Sequence, residues 1–191
     1  MSQIKLKHSG GNSVIIAAPD SNPASDRTLK LPSDGDGTIL TTNSATGKIL
    51  QVVQVVKTDT ASTSSQTQSN ISGLSASITP TATSSKILIT VQASIGRNNS
   101  GVVSTLRLKR DSTDLSPHTS SDTDGMSHLY VNDNASIEDQ IINHLDSPNT
   151  TSATTYQVTW AVDGNNTIYL NRYFGGNYLS QSTITLMEVA A

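Results

Sequence analysis

From residue 74 onward the apolar positions fall into short period-two runs, separated by stretches of Ser, Thr, Asn, Asp and Gly. Leu74, Ala76 and Ile78 point one way, and Pro80 ends that run. Ile87, Ile89, Val91, Ala93 and Ile95 give the cleanest alternation in the chain. Such alternation marks a strand with one buried face, because successive side chains leave opposite sides of the backbone. Leu106 and Leu108 lie on a strand entering a hairpin turn at Asp111-Ser112-Thr113-Asp114, and Met126 to Val131 follows. Ile137, Ile141, Ile142 and Leu145 also fit a helical stripe, but the flanking pattern favours a strand. Tyr156, Val158, Trp160 and Val162 alternate up to a hairpin turn at Asp163-Gly164-Asn165-Asn166, whose return strand carries Ile168 and Leu170. Thr183 to Val189 forms a last core strand, and its removal is expected to unravel the sheet. Roughly seven to nine strands at this spacing predict an antiparallel, jelly-roll-like β-sandwich.

Residues 1–47 carry a weaker pattern and divide from residues 48–191, the expected sandwich domain. Ile4 and Leu6 alternate with lysines, and Val14, Ile15 and Ile16 follow a Gly10-Gly11-Asn12 turn. A proline-broken polar loop, Asp20 to Asp26, precedes an alternating Thr28–Leu31 strand, and Asp34-Gly35-Asp36-Gly37 turns into Thr38-Ile39-Leu40. So few short strands make a marginal sheet alone. The segment is therefore expected to lean on a partner, with Ile4, Leu6, Val14, Ile15 and Ile16 as its contact residues.

Between the two lies the run Lys48–Lys57, in which apolar pairs recur every third residue: Ile49-Leu50, Val52-Val53, Val55-Val56. On a strand this makes both faces apolar. On a helix, Ile49, Val52, Val53 and Val56 would line one stripe, as in a short trimeric coil. Four valines argue for the strand. Either way a second surface is needed, and Ile49, Leu50, Val52, Val53, Val55 and Val56 are the candidate subunit interface. Thr58 to Ser72 reads as a Ser/Thr/Gln loop.

Composition narrows the function. Only 34 % of residues are hydrophobic, with one Trp and one Phe, against the roughly 45–50 % usual for globular domains. A subunit this poor in apolar residues gains by burying surface against copies of itself. Disorder is the other meaning of low hydrophobicity, but the periodicity is too regular for it. Net charge is −3, and the densest basic run is Arg107-Leu108-Lys109-Arg110, so the basic face of a nucleic-acid binder is not expected. No run approaches the ~20 apolar residues of a membrane span, and the N-terminus lacks the apolar region of a secretory signal. With no cysteine, disulfides and thiolate metal sites are excluded.

Candidate chemistry is thin. Asp34-Gly35-Asp36-Gly37 and Asp122-Thr123-Asp124-Gly125 open like calcium loops, but neither has the closing Glu at EF-hand spacing. His8, His118, His128 and His144 are scattered, and Gly73-Leu74-Ser75-Ala76-Ser77 lacks the second glycine of a nucleophile elbow. Glu138, Asp139 and Asp146 are the nearest acidic grouping and read as a solvated strand edge. No enzymatic activity, metal or cofactor is expected. One aromatic stretch stands out: Tyr169 to Tyr178 gathers three of the five tyrosines and the only Phe around Gly175-Gly176. Aromatics beside Arg172 and Asn177 are how sugar rings or protein partners are gripped. Tyr169, Arg172, Tyr173, Phe174, Asn177 and Tyr178 are thus the candidate receptor or partner contact, the alternative being that Tyr173 and Phe174 plug the end of the sandwich or a trimer seam.

The opening stretch IKLKHSGGNSVIIAAPDSNPASDRTLKLP resembles the N-terminus of short tail-fibre and virion structural proteins of marine bacteriophages, cyanophages above all. So do KILQVVQVVKTDTAS through GLSASITPTATSSKILITVQASIG, then HLDSPNTTSATTYQVTWAV, then STITLMEVAA. The resemblance covers nearly the whole chain. It implies a homotrimer located in the virion, with residues 1–47 attached to another virion protein (tail, capsid or another fibre) and residues 48–191 as a projecting β head. The implied role is a short trimeric fibre or appendage that contributes to host-surface adsorption by touching a cell-surface glycan or protein. The alternative is a capsid decoration or cement protein. Neither nucleic-acid binding nor membrane insertion is implied.

Overall fold

In the computed structural model the described residues are 3–7, 9–11, 13–17, 49–131 and 136–190. The backbone divides into two compact units at Ser44/Ala45. In the first unit, β1 (Gln3–Lys7) and β2 (Ser13–Ala17) form an antiparallel hairpin. Its turn carries Gly11 at φ 99°, a left-handed conformation open to a residue with no Cβ. The register sets Ile4 opposite Ile16 and Leu6 opposite Val14, while Ile15 faces Lys5. The readings placed on Thr28–Leu31, Asp34–Gly37 and Thr38–Leu40 lie outside the described residues.

The second unit is all-β among its described residues. Its strands are β3 (Ile49–Lys57), β4 (Ala61–Thr63), β5 (Ser69–Ile78), β6 (Lys86–Arg97), β7 (Val102–Arg110) and β8 (Thr113–Asp114). They continue with β9 (Ser127–Val131), β10 (Ser136–Asp146), β11 (Thr154–Val162), β12 (Ile168–Leu170) and β13 (Ser182–Val189). Two antiparallel sheets result. In sheet I, β6 pairs with β10 along one edge, and along the other with β13 and then β12; β3 continues beyond β13 and β4 beyond β12. In sheet II the order is β5, β11, β7, with β8 and β9 sharing the far edge of β7.

The faces that alternation made apolar meet in one core. Ile87, Ile89, Val91 and Ile95 of β6, with Ile184 and Leu186 of β13, bury against Leu74, Ile78, Leu106, Leu108, Tyr156, Val158 and Trp160 of sheet II. Truncating any of the larger ones to Ala costs roughly 2–5 kcal/mol, through lost burial and the cavity left behind. Of the ambiguous run Lys48–Lys57, the described residues Ile49–Lys57 are the strand β3, and the run with helical spacing at 137–145 lies in the strand β10.

Three sequence readings are corrected. The Thr58–Ser72 stretch is not one loop, because β4 and the first residues of β5 lie in it. The strand after Asp163-Gly164-Asn165-Asn166 does not return along β11: β12 crosses to sheet I and pairs with β6 and β4. Ile168 and Leu170 are fully buried in the shared core, and they hold β12 there. Finally, Asp146 is no solvated edge. It is buried, accepts the Tyr156 hydroxyl at 2.7 Å, and accepts the Arg110 guanidinium at 2.8 Å on both oxygens. Because β10 belongs to sheet I and β7 and β11 to sheet II, this trio is a clasp between the sheets. Burial and then the Asp146 carboxylate push the Tyr156 hydroxyl far above its ordinary pKa, so it stays a donor.

Candidate functional site

The aromatic stretch becomes a surface because of what anchors its first residues. Tyr169 sits between buried Ile168 and Leu170 on β12, so alternation turns its ring to the outer side of sheet I. Asn171, fully buried and at φ 58°, then bends the chain away from the strand path. Its backbone N–H donates to the Ser94 carbonyl at 2.9 Å, and its side-chain amide donates to the carbonyls of Lys57 at 2.8 Å and Asp59 at 3.0 Å. The Ser182 hydroxyl donates to its Oδ1 at 2.5 Å, and the Ser180 N–H to its carbonyl at 3.0 Å. One residue, through its backbone and its side chain, thus ties the loop base to β3, β6 and β13.

The loop then lies against β6 at Gly96, where a Cβ would overlap the Arg172 carbonyl oxygen. Beyond it the aromatics pair off. The Arg172 guanidinium stacks 4.1 Å over the Tyr169 ring and donates to the Phe174 carbonyl at 3.2 Å. Tyr169 and Phe174 approach with centroids 6.1 Å apart, and Tyr173 meets Tyr178 edge-on at 5.8 Å. Two backbone bonds close the turn: Tyr173 N–H to the Asn177 carbonyl at 3.2 Å, and Gly176 N–H to the Tyr173 carbonyl at 3.0 Å. Phe174 and Tyr178 remain 46 % and 76 % exposed, with Leu179 beside them at 71 %. None of these rings belongs to the sandwich core. Flat apolar faces held by an arginine and a tight turn can stack on a sugar ring or an apolar side chain, with little ordering entropy left to lose.

All six candidate contact residues, Tyr169, Arg172, Tyr173, Phe174, Asn177 and Tyr178, come together in this loop. The candidate interface residues divide by face. Val53 and Val55 pack against the core, while Ile49, Leu50, Val52 and Val56 are about half exposed. The candidate attachment residues Ile4, Leu6, Val14, Ile15 and Ile16 lie on the β1–β2 hairpin of the other unit.

Asn171 and Gly96 escaped the sequence reading. The only local signal for Asn171 was an Asn directly after a strand, a residue tolerant of the left-handed region. The scattered histidines also acquire a place: His118 and His144 both line a cleft of about 430 Å³, with Leu115, Pro117, Met126 and Ile141, beside β10. The carboxylates of Asp122 and Asp124 are engaged by backbone groups, Asp122 accepting the N–H of distant Gln68 at 3.2 Å and Asp124 the Ser121 N–H of its own turn at 3.0 Å. At one end of β6, Arg97 is fully buried, its Nη1 donating to the Val102 carbonyl at 3.4 Å. Burial lowers the guanidinium's pKa, and the charge of Glu138 nearby opposes that.

No protein-family model and no curated protein sequence matches this chain.

Proposed function

We propose that this chain is a structural component of a bacteriophage virion, a short trimeric fibre or appendage whose C-terminal unit is a jelly roll that contributes to host-surface adsorption. Strand order supports the jelly roll. Counting β3 with β4, β8 with β9, and β12 with β13 leaves eight strands, four in each sheet, with the chain passing repeatedly from one sheet to the other. The virion role comes from the sequence resemblance. The observation that carries adsorption is the aromatic loop: a braced, exposed Tyr–Arg–Phe–Tyr surface on a small sandwich. A weak contact of this kind becomes effective by repetition, since three copies per fibre and many fibres per particle raise the effective concentration.

The test is direct. Purified protein bearing Phe174→Ala and Tyr178→Ala should lose at least tenfold in binding to susceptible cells, while its circular dichroism matches the parent. Equal binding by parent and variant would refute the adsorption role of the loop. Gold-labelled antibody on intact particles tests the virion role, and label absent from every particle refutes it.

The N-terminal hairpin favours a second reading, capsid decoration. It is a two-stranded sheet with no third strand among the described residues, so its edges could add to a capsid sheet edge. Label confined to heads would favour this reading over a tail fibre.

A further inference from the structure

The outer face of sheet I holds a feature that the linear sequence scatters over more than a hundred residues. The register sets Val52 opposite Met187, Met187 opposite Leu88, and Leu88 opposite Leu145. These four side chains form an unbroken apolar row across β3, β13, β6 and β10. Val52 is 56 % and Leu145 51 % exposed, and Leu88 and Met187 are half-buried between them. Two residues along the strands lies a neutral polar row, Gln54–Thr185–Thr90–Asn143, and beyond it Val56–Thr183–Gln92–Ile141.

We propose that this face seats a neighbouring copy of the same chain, with the row Val52–Met187–Leu88–Leu145 at the centre of the contact. The inference rests on the homo-oligomer reading above and names the surface that makes it.

Charge selects this occupant. None of the twelve positions in the three rows is ionisable; Lys86 and Asp139 lie at the margin, and Asp139 already accepts from the Gln92 amide at 2.7 Å. Copies of one chain bring the same residues to every contact, so a face without charge brings no like-charge repulsion to a self-contact. A partner of opposite charge would be steered by a charged face instead. Size agrees. Four strands about 4.8 Å apart and six residue steps of about 3.4 Å give roughly 400 Å² in projection. Side chains standing off the sheet add accessible area, so three such faces turned toward one threefold axis together withdraw upwards of about 1,200 Å² from water. Burial of the row would add hydrophobic stabilisation to a chain in which only 34 % of residues are apolar.

The test measures the mass of the full chain by light scattering at micromolar concentration. The parent should show about three times the 20.1 kDa subunit mass. Leu145→Asp and Val52→Asp, both at half-exposed positions, should give monomers with association weakened at least 100-fold and circular dichroism unchanged. Tyr130→Asp, 62 % exposed on sheet II, should assemble like the parent. A second readout uses the absence of native cysteine. In Val52→Cys a thiol reagent should react at least tenfold more slowly than in Tyr130→Cys, and dilution to monomer should abolish the difference. If the parent assembles and both Asp variants assemble equally well, or if the two thiols react alike, this face is not the contact, while the oligomer reading stands. A parent that stays monomeric overturns both.

Discussion

The two outer faces of the sandwich are built from similar strands and end in opposite states. On sheet II many outward polar groups are taken up by the protein itself. Thr155 shares a hydrogen bond with Ser77 at 2.7 Å, Thr159 donates to Gln68 Oε1 at 2.8 Å, and the Gln157 amide reaches the carbonyls of Ile71 and Leu74. Arg107 donates to the carbonyls of Asp124 and Ser121 and pairs with Asp114 at 3.2 Å, fastening the 121–125 loop over β7. Gly125 lets that loop approach, because a Cβ there would overlap Thr105 and the Leu106 carbonyl. On sheet I the outward polar groups bond only in part, as in Gln54 to Thr185 at 2.8 Å, and an apolar row stays open. A face whose polar groups satisfy each other is finished, whereas exposed apolar surface gains free energy when something covers it.

Four changes to the chain test this contrast. The largest effect belongs to β13, which runs between β3 and β6 and supplies Met187 to the outer row. A chain ending at Gln181 should show no cooperative unfolding transition by circular dichroism, since sheet I loses its inner strand and the core loses Ile184 and Leu186. A transition at the parent's midpoint would mean the sheet closes without it.

Next is the buried end of β13. The Glu188 carboxylate accepts from the Thr81 N–H and hydroxyl at 2.7 Å each and from the Gln51 amide at 2.6 Å. Burial opposes its ionisation, yet the hydrogen bonds from Thr81, Gln51 and Ser85 outweigh it and hold its pKa at about 2 against 4.5. A depressed carboxylate stabilises the fold fully above its unfolded pKa and loses that contribution as pH falls through the folded value. Glu188→Gln should therefore cost about 3 kcal/mol near neutrality. The gap to the parent should shrink below pH 4.5 and vanish near pH 2 in denaturant titrations. A pH-independent gap would assign the loss to packing.

Arg107→Met tests the closed face, and removing its bonds should cost about 2 kcal/mol. The same change should raise amide exchange at residues 121–125, leaving β10 unaffected. The smallest effect is expected on the open face: in the monomer, Gln54→Val, exposed and bonded through its side chain to Thr185, should shift stability by no more than about 0.5 kcal/mol. If Gln54→Val cost as much as Arg107→Met, the two faces would not differ as described.

The strands were legible in the sequence because period-two alternation is a local property: Ile87 to Ile95 and Tyr156 to Val162 need no partner to announce which side faces inward. The aromatic loop was legible for a similar reason, as its residues are neighbours in the chain. Its brace was not, because Asn171 acts through Lys57, Ser94 and Ser182, remote positions brought to it by folding. Asp146 read as an edge charge until β7 and β11 enclosed it. Alternation fixes which face of a strand is buried, but it is silent on which sheet a strand joins and beside which neighbour. That is why Ile168–Leu170 looked like the return of a hairpin. It is also why Leu88, Leu145 and Met187, outward residues on three separate strands, became one surface only when long-range pairing set their register.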